Sequence, residues 1–295
     1  MKPVWQVPSE IRMVPSEPVP HRLFVCLAKI KPEAGAALKS VFESGENLPK
    51  DLKTRYNEHL LYTYDLGEKG SYWEAGPATD FTGILHIFST GSLEEAQGLM
   101  HHDPFYRAGI FYDDWWFEWA IHTPFWRTNL THREMIENLM RDNGLLPVYA
   151  TGVRPPVTEI KVEIVTPPKL FVSLAKTKAD YVQRVEQEAQ TGKPLPAFLL
   201  HHVFNRLAPG GTGQMGYDWE GGPSVDYLYD LSIFSVNSME TAHLLRENDH
   251  FSLQGIFYDL TYFEWCILMP LKKASPAYKE TLKWLLKDAG AKLAD

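Results

Sequence analysis

The chain has little cysteine, no cluster of positive charge and no long apolar run. Its formal net charge is −8 over 295 residues, and its Lys and Arg residues are scattered. Nucleic acids are bound through clustered cations, so we expect no nucleic-acid partner. No apolar run is long enough to cross a bilayer, and Met1–Pro20 lacks the apolar core of a signal peptide, so we expect no membrane partner.

What the chain does contain is a long internal repeat. Residues 87–89, Ile-Phe-Ser, recur at 233–235, and residues 109–113, Gly-Ile-Phe-Tyr-Asp, recur at 255–259, both after 146 positions. From Gly83 to Pro124, 20 of 42 residues match their counterparts. A period this long indicates a duplicated domain rather than a solenoid unit.

The duplication predicts two domains, residues 1–146 with an N-terminal extension and residues 147–295. The boundary is placed at Pro147 to Pro156, because prolines there cannot continue the preceding helix. The two cysteines, Cys26 and Cys266, are not shared between the repeats, so a disulfide is not part of the duplicated design. A reducing compartment, the cytoplasm, is therefore expected.

Each repeat shows strands and helices in the same order, without strict alternation, which predicts the α+β class and a ferredoxin-like plan. In the first repeat the predicted strands are 23–28, 83–88 and 115–123, the helices are 52–66, 92–100 and 131–142, and 32–42 is a polar segment. In the second repeat the strands are 170–175, 229–234 and 262–269, the helices are 238–246 and 277–288, and the region around 199–206 corresponds to the first helix. The two antiparallel sheets are expected to pack against each other into an α+β barrel within one chain. The alternative is that each domain pairs with another chain, as in a homodimer.

Several motifs of the first repeat carry a family resemblance. They are Arg55 with His59-Leu60 on the first helix, Gly76-Pro77, Leu93-Glu94-Glu95-Ala96, Asp103-Pro104-Phe105 and Ala108-Gly109-Ile110. Over residues 23–124, and more weakly over 170–270, the chain resembles the YciI-like (YCII-related) family of the dimeric α+β barrel superfamily. The resemblance implies a ferredoxin-like fold, pairing into a barrel, and a pocket where the helix histidine meets the aspartate. Known relatives include a dehydrochlorinase of chloroaromatic degradation, and the wider superfamily contains muconolactone isomerase.

His59 and Asp103 are accordingly the candidate catalytic pair. Histidine takes and returns a proton near neutral pH, and a carboxylate against its other ring nitrogen fixes the tautomer and stabilises the imidazolium. The pair could abstract a proton next to a carbonyl or from a phenol. The structural alternative is that His59 packs on its helix while Asp103 caps the turn at Pro104.

Further candidates follow from comparing the repeats. The first repeat is richer in titratable groups, since His86, Arg107 and His122 are replaced by Ser232, Leu253 and Leu268. We therefore expect the first repeat to hold the active site. The predicted substrate-binding residues are His86, Arg107, Glu118, His122, Trp73 and Trp116, and the equivalents in the second repeat are His202 (or His201), Asp249 and Glu264.

Alternation along the last strand of the first repeat predicts its two faces. Trp115, Phe117 and Trp119 are expected to face the helices. Trp116 and Glu118 are then expected to face the inside of the barrel. Glu118 is either a structural hydrogen-bond partner or an acid of the site.

No cofactor is expected. His101 and His102 are adjacent and diverge, while Glu118 and His122 are about 13 Å apart along a strand, so neither pair fits one metal ion. Glu118 with His86 stays open as a metal pair, and no haem-attachment or phosphate-loop motif is found.

The sequence thus predicts proton transfer without a cofactor on a small cyclic or aromatic acid. The enzyme would be an isomerase or an eliminating lyase of aromatic-compound catabolism. Two alternatives are a non-catalytic binding protein for a small aromatic compound, and a structural module with a relict pair.

Overall fold

The computed structural model describes residues 11–12, 22–45, 47–123, 161–162, 169–183 and 218–293, with the single positions 134, 138 and 187. The chain divides into two compact units. The first unit is Pro20–Trp119 with Phe263–Asp295, and the second unit is Met1–Val19 with Ala120–Tyr262. The predicted boundary at residues 147–156 lies outside the described residues.

The first unit is built on a four-stranded antiparallel sheet. Its strands are β2 (Leu23–Ile30), β3 (Tyr72–Pro77), β4 (Gly83–Ser89) and β5 (Phe111–Trp119), in the order β3-β4-β2-β5. This is the strand order of the split βαβ, ferredoxin-like plan. The prediction of an α+β fold is therefore confirmed.

Helices cover one face of this sheet. They are α1 (Pro32–Ser44), α2 (Lys50–Glu68), α3 (Leu93–His102), α4 (Pro104–Arg107) and, from the chain's end, α7 (Pro276–Asp288). The core beneath them includes Phe24, Cys26, Leu60, Met100 and Leu282.

The start and the extent of two of these helices follow from local sequence. Ser92 accepts a hydrogen bond from the amide of Glu95 and so caps α3, as its spacing predicts. The prediction of a polar segment at 32–42 is wrong. A helix forms there because Pro32 suits a first turn, and because Leu38 and Val41 lie on one buried face.

The second unit repeats the same sheet. Its strands β7 (Lys169–Thr177), β8 (Asp218–Pro223), β9 (Tyr229–Val236) and β10 (Phe257–Trp265) pair in the order β10-β7-β9-β8. Short strands β1 (Ile11–Arg12) and β6 (Lys161–Val162) pair with each other, and helices α5 (Met239–Glu247) and α6 (His250–Leu253) follow β9. The helix predicted at 131–142 and the region around 199–206 lie outside the described residues, apart from single positions.

The duplication extends to unusual backbone conformations. Asp113 and Asp259 both have φ of 51°, and Gly109 and Gly255 have φ of 65° and 62°. Non-glycine residues rarely adopt positive φ, so the same unusual backbone conformations recur at a spacing of 146 residues. This supports one ancestral fold for both repeats.

Each unit is completed by a short segment that follows the last strand of the other repeat. The predicted strand 115–123 therefore has different bounds: β5 ends at Trp119, and the amide of Ala120 instead donates to the Pro223 carbonyl in the second unit. In the same way, the amide of Cys266 donates to the Pro77 carbonyl in the first unit.

These close approaches explain the glycine of the Gly-Pro pair in both repeats. A Cβ on Gly76 would lie 1.7 Å from the Cys266 oxygen, and one on Gly222 would lie 1.9 Å from the Ala120 oxygen. Since the obstructing atoms belong to the backbone, no side-chain rotation can relieve either contact.

We expect Gly76→Ala to lower the free energy of unfolding by about 1 to 3 kcal/mol or more, the usual range for overpacking. Urea unfolding monitored by circular dichroism would measure it. Gly98→Ala is the matched control, because Gly98 lies in α3 and an added Cβ there would meet no neighbouring atom within 4 Å. The control should be neutral or stabilise by up to about 1 kcal/mol. Equal losses in both variants would contradict the steric argument.

No helix among the described residues is long and apolar enough to cross a membrane. The packing of the two sheets against each other, the homodimer alternative and the cytoplasmic location stay predictions.

Candidate active site

Two elements of the first unit bring His59 and Asp103 together. His59 lies in the middle of α2, and Asp103 ends α3 and begins α4. His59 Nδ1 is 2.9 Å from both carboxylate oxygens of Asp103. The predicted contact between the two side chains is confirmed, although they are 44 residues apart in sequence.

The environment of Asp103 holds its carboxylate in place. The side chain is fully buried, and its Oδ1 also accepts a hydrogen bond of 2.7 Å from the Phe105 amide. The contacts of both interpretations of Asp103 from the sequence are therefore present. Its carboxylate caps the turn at Pro104, and it also lies within hydrogen-bonding distance of His59. Because a carboxylate only accepts hydrogen bonds, Nδ1 of His59 is the donor, and in the neutral form of the ring Nε2 keeps its lone pair.

Aromatic rings fix the plane of the His59 imidazole. The Phe105 ring stacks on it with a centroid distance of 4.4 Å and an interplanar angle of 3°. Phe111 meets it edge-on at 5.5 Å. The imidazole therefore has one orientation, set by a hydrogen bond on one nitrogen and by rings on its faces.

A small cavity lies beside this imidazole. The cavity has a volume of about 40 Å³, and roughly 10–15 Å³ is needed to hold one water molecule. Its wall is mainly apolar, with Leu60, Ile84, Phe105, Phe111 and Met269 among the lining residues. The polar side chains in the wall are those of Tyr56, His59, Thr63 and His86.

His86 reaches this cavity from β4 and is fully buried. Neither of its ring nitrogens has a hydrogen-bond partner among the described residues. Burial lowers the pKa of His86 to about 3, and nearby His59 lowers it as well, while Asp103 opposes the shift. His86 is therefore neutral at physiological pH, with one nitrogen able to donate and the other able to accept.

Tyr56 was not predicted from the sequence. It precedes His59 by three positions on α2, so both side chains lie on one helix face. Its hydroxyl is buried without a partner among the described residues, and burial raises the pKa of Tyr56. The only sign of it in the sequence is a tyrosine one helical turn before His59. Many buried tyrosines are simply core residues, so this spacing alone does not indicate a site residue.

The predicted orientation of β5 is wrong. Trp116 and His86 both pair with Cys26, on either side of β2, so the three residues share one face of the sheet. That face is covered by helices, since Trp116 packs against the helix-side core and its ring stacks on Phe88 at 5.6 Å. Trp116 is thus a core residue and is not part of the cavity wall.

Other predicted substrate-binding residues also lie outside the cavity wall. Glu118 accepts two hydrogen bonds from the Arg22 guanidinium, at 2.9 and 2.7 Å, which fits the structural alternative for this residue. Arg107 is exposed at the end of α4. Trp73 lies under the ammonium of Lys273, 3.6 Å from its ring centroid.

Two more predicted residues are absent from the cavity wall. His122 belongs to the second unit. Glu264 belongs to the first unit, where its carbonyl accepts a hydrogen bond from the Thr79 amide. Neither residue is among those that line the cavity.

The second unit has a different arrangement where the first has His86. Ser232 replaces the histidine, and the guanidinium of Arg246 donates to Asp230 at 2.7 Å and to the Ser232 hydroxyl at 3.1 Å. Asp249 accepts from the Phe251 amide, as Asp103 does from Phe105. His202 lies outside the described residues, so the second repeat's histidine–aspartate contact stays a prediction.

Among the described residues, no three His, Cys, Asp or Glu side chains are grouped so as to hold a metal ion. Glu118 and His86, which the sequence left open as a metal pair, have different surroundings: Glu118 binds Arg22, while His86 lines the cavity.

Comparison with known proteins gives structural matches alone. No family model and no curated protein matches the chain. The 5-chloro-2-hydroxyhydroquinone dehydrochlorinase of Burkholderia phenoliruptrix AC1100, solved with 2,5-dihydroxybenzoquinone, is 23% identical, with 32% of this chain and 89% of that chain covered and a TM-score of 0.24. A chlorite dismutase mutant from Candidatus Nitrospira defluvii is 13% identical, with 90% and 95% covered and a TM-score of 0.45.

Identities and TM-scores this low carry no conclusion about activity. Membership of the YciI-like family stays a prediction.

Proposed function

We propose that the first unit catalyses proton transfer on a small cyclic or aromatic compound, as an isomerase or an eliminating lyase, with His59 as general base. The observation that carries the proposal is the contact of His59 Nδ1 with buried Asp103, beside a largely apolar cavity. The resemblance to a family with a dehydrochlorinase among its members agrees with it.

The chemistry needs no group beyond these side chains. Nε2 of His59 accepts a proton from a carbon next to a carbonyl, or from a phenol, and Asp103 stabilises the imidazolium that forms. Returning the proton to another atom completes an isomerisation, whereas loss of a leaving group completes an elimination. The apolar wall keeps water from competing for the proton.

The experiment uses cyclohexanone as a small carbonyl probe. Exchange of its α-hydrogens for deuterium in D₂O, followed by NMR, reports proton abstraction directly. We expect the wild-type protein to accelerate this exchange, and His59→Ala to lower the rate by about 10²-fold or more, the usual contribution of a general base.

The same assay separates the enzyme from a binding protein. A binding protein would bind the probe without accelerating exchange, and the proposal would then be abandoned. An unchanged exchange rate in His59→Ala would remove this histidine from the mechanism. His102→Ala is a suitable control, because His102 is an exposed histidine that binds the Gly98 carbonyl within its own helix.

A further inference from the structure

The cavity beside His59 contains a second polar feature with no assigned role. The Tyr56 hydroxyl and both nitrogens of His86 are buried and have no hydrogen-bond partner among the described residues. A buried polar group without a partner costs about 1 to 3 kcal/mol, so such groups are rare unless a ligand or water satisfies them. Here they line one cavity, which makes a ligand the natural partner.

The position of these groups relative to His59 is defined by the fold. Tyr56 and His59 are one turn apart on α2, and His86 comes from the sheet opposite. Phe111 contacts both imidazoles edge-on, at centroid distances of 5.5 Å from His59 and 5.8 Å from His86. The tyrosine and the second histidine therefore border the same small space as the proposed base.

The charge of the ligand follows from the same side chains. Neither Tyr56 nor His86 is charged in this environment, because burial raises the pKa of the phenol and lowers that of the imidazole. A carboxylate would lose its hydration here without gaining an opposite charge from these two groups. An uncharged hydroxyl or carbonyl oxygen can accept from one of them, and a hydroxyl can also donate to the other.

We propose that Tyr56 and His86 together bind an uncharged oxygen of a small ring compound, such as a phenol, quinone or cyclic ketone, and hold it next to His59. The proposal names the substrate class of the proposed function. It rests on that function, because it takes the cavity beside His59 as the site. It replaces the acid expected from the sequence with an uncharged ligand. Tyr56 becomes a binding residue, and His86 acts as a neutral hydrogen-bonding group.

Three ring compounds of similar size test the proposal by calorimetric titration of the full chain: phenol, toluene and benzoate. Phenol has an uncharged oxygen, toluene has a methyl group in its place, and benzoate has a charged carboxylate. We expect phenol to bind about tenfold more tightly than toluene or benzoate, as one to two added hydrogen bonds would give.

Two variants locate the effect. Tyr56→Phe removes one hydroxyl and should weaken phenol binding several-fold, while toluene binding stays the same. His86→Phe removes the two ring nitrogens and should have the same effect on both compounds. Tyr72→Phe is the matched control: the Tyr72 hydroxyl is also buried without a partner among the described residues, but Tyr72 is not in the cavity wall. Melting temperatures would show that the variants fold.

The proposal is overturned if none of the three compounds binds, if phenol and toluene bind equally, if benzoate binds most tightly, or if Tyr56→Phe leaves phenol affinity unchanged. Because binding is measured without turnover, these outcomes are independent of the His59→Ala exchange assay. A phenol preference together with unchanged exchange in His59→Ala would keep the binding site and reject the catalytic role.

Discussion

Asp103→Asn should lower the rate of cyclohexanone exchange by about 10²- to 10⁴-fold while the protein stays folded. The amide oxygen can still accept from the Phe105 amide, so the cap on α4 is kept. The amide nitrogen, however, would donate to Nδ1 of His59. The imidazole hydrogen would then move to Nε2, which could no longer accept a proton from the substrate.

Asp249→Asn is the counterpart in the second repeat. Asp249 also caps a turn, by accepting from the Phe251 amide at 2.9 Å. We expect this change to alter stability by about 0.5 to 2 kcal/mol, typical of a cap, and to leave exchange near the wild-type rate. The exchange rates and melting temperatures of both variants show whether the activity depends on the first repeat alone. An equal loss of exchange rate in both variants would mean that the repeats share one composite site. It would contradict the expectation that the first repeat alone holds the active site.

The repeat made most of the fold predictable. A match of 20 in 42 residues requires one fold for both copies, and the order of strands and helices then identifies the ferredoxin-like plan. Errors arose where local pattern was weak. The helix α1 has a short apolar face that contains Gly35, a weak helix former, and its register becomes evident only when Leu38 and Val41 are seen to be buried.

The faces of β5 were assigned wrongly because both of them carry large aromatic residues, while the face that the helices cover also carries Glu118. Alternation separates Trp116 from Phe117 and Trp119, but it gives no sign of which set the helices cover. The pairing of Trp116 with Cys26 shows which face of β5 the helices cover. This pairing depends on the register between the two strands, which the sequence does not specify.

The candidate site was predictable only in part, for a related reason. His59 and Asp103 are recognised because their motif recurs in a family, whereas Tyr56 has no motif and matters only through the cavity that it lines. Arg246 was likewise missed. A charged residue at the end of an amphipathic helix is usually exposed, and this one is buried because Asp230 lies opposite it.

We expect either single change at the Arg246–Asp230 pair to destabilise the protein strongly. The two side chains are 0% and 4% exposed, and their closest nitrogen and oxygen are 2.7 Å apart. Arg246→Met would leave a buried carboxylate, and Asp230→Ile would leave a buried guanidinium. Removing one partner of a buried pair typically lowers the free energy of unfolding by about 3 to 5 kcal/mol.

The first repeat supplies the design of the double variant. Met100 and Ile84 occupy the positions equivalent to Arg246 and Asp230, and both are buried in the helix-side core. The double variant Arg246→Met with Asp230→Ile should therefore be close to wild type or more stable, because neither charge remains buried alone. Urea unfolding of the four proteins gives a double-mutant cycle with a large coupling energy.

An exposed pair in the same unit provides the control. Lys176 and Asp259 are 2.6 Å apart, but their side chains are 47% and 59% exposed. Asp259→Asn should change the free energy of unfolding by less than about 1 kcal/mol, because water screens the pair and Asn tolerates the positive φ at this position. If the single changes at Arg246 and Asp230 were equally mild, the pair would contribute little. Arg246 would then have no strong structural role in the second repeat, where Ser232 stands at the position of His86.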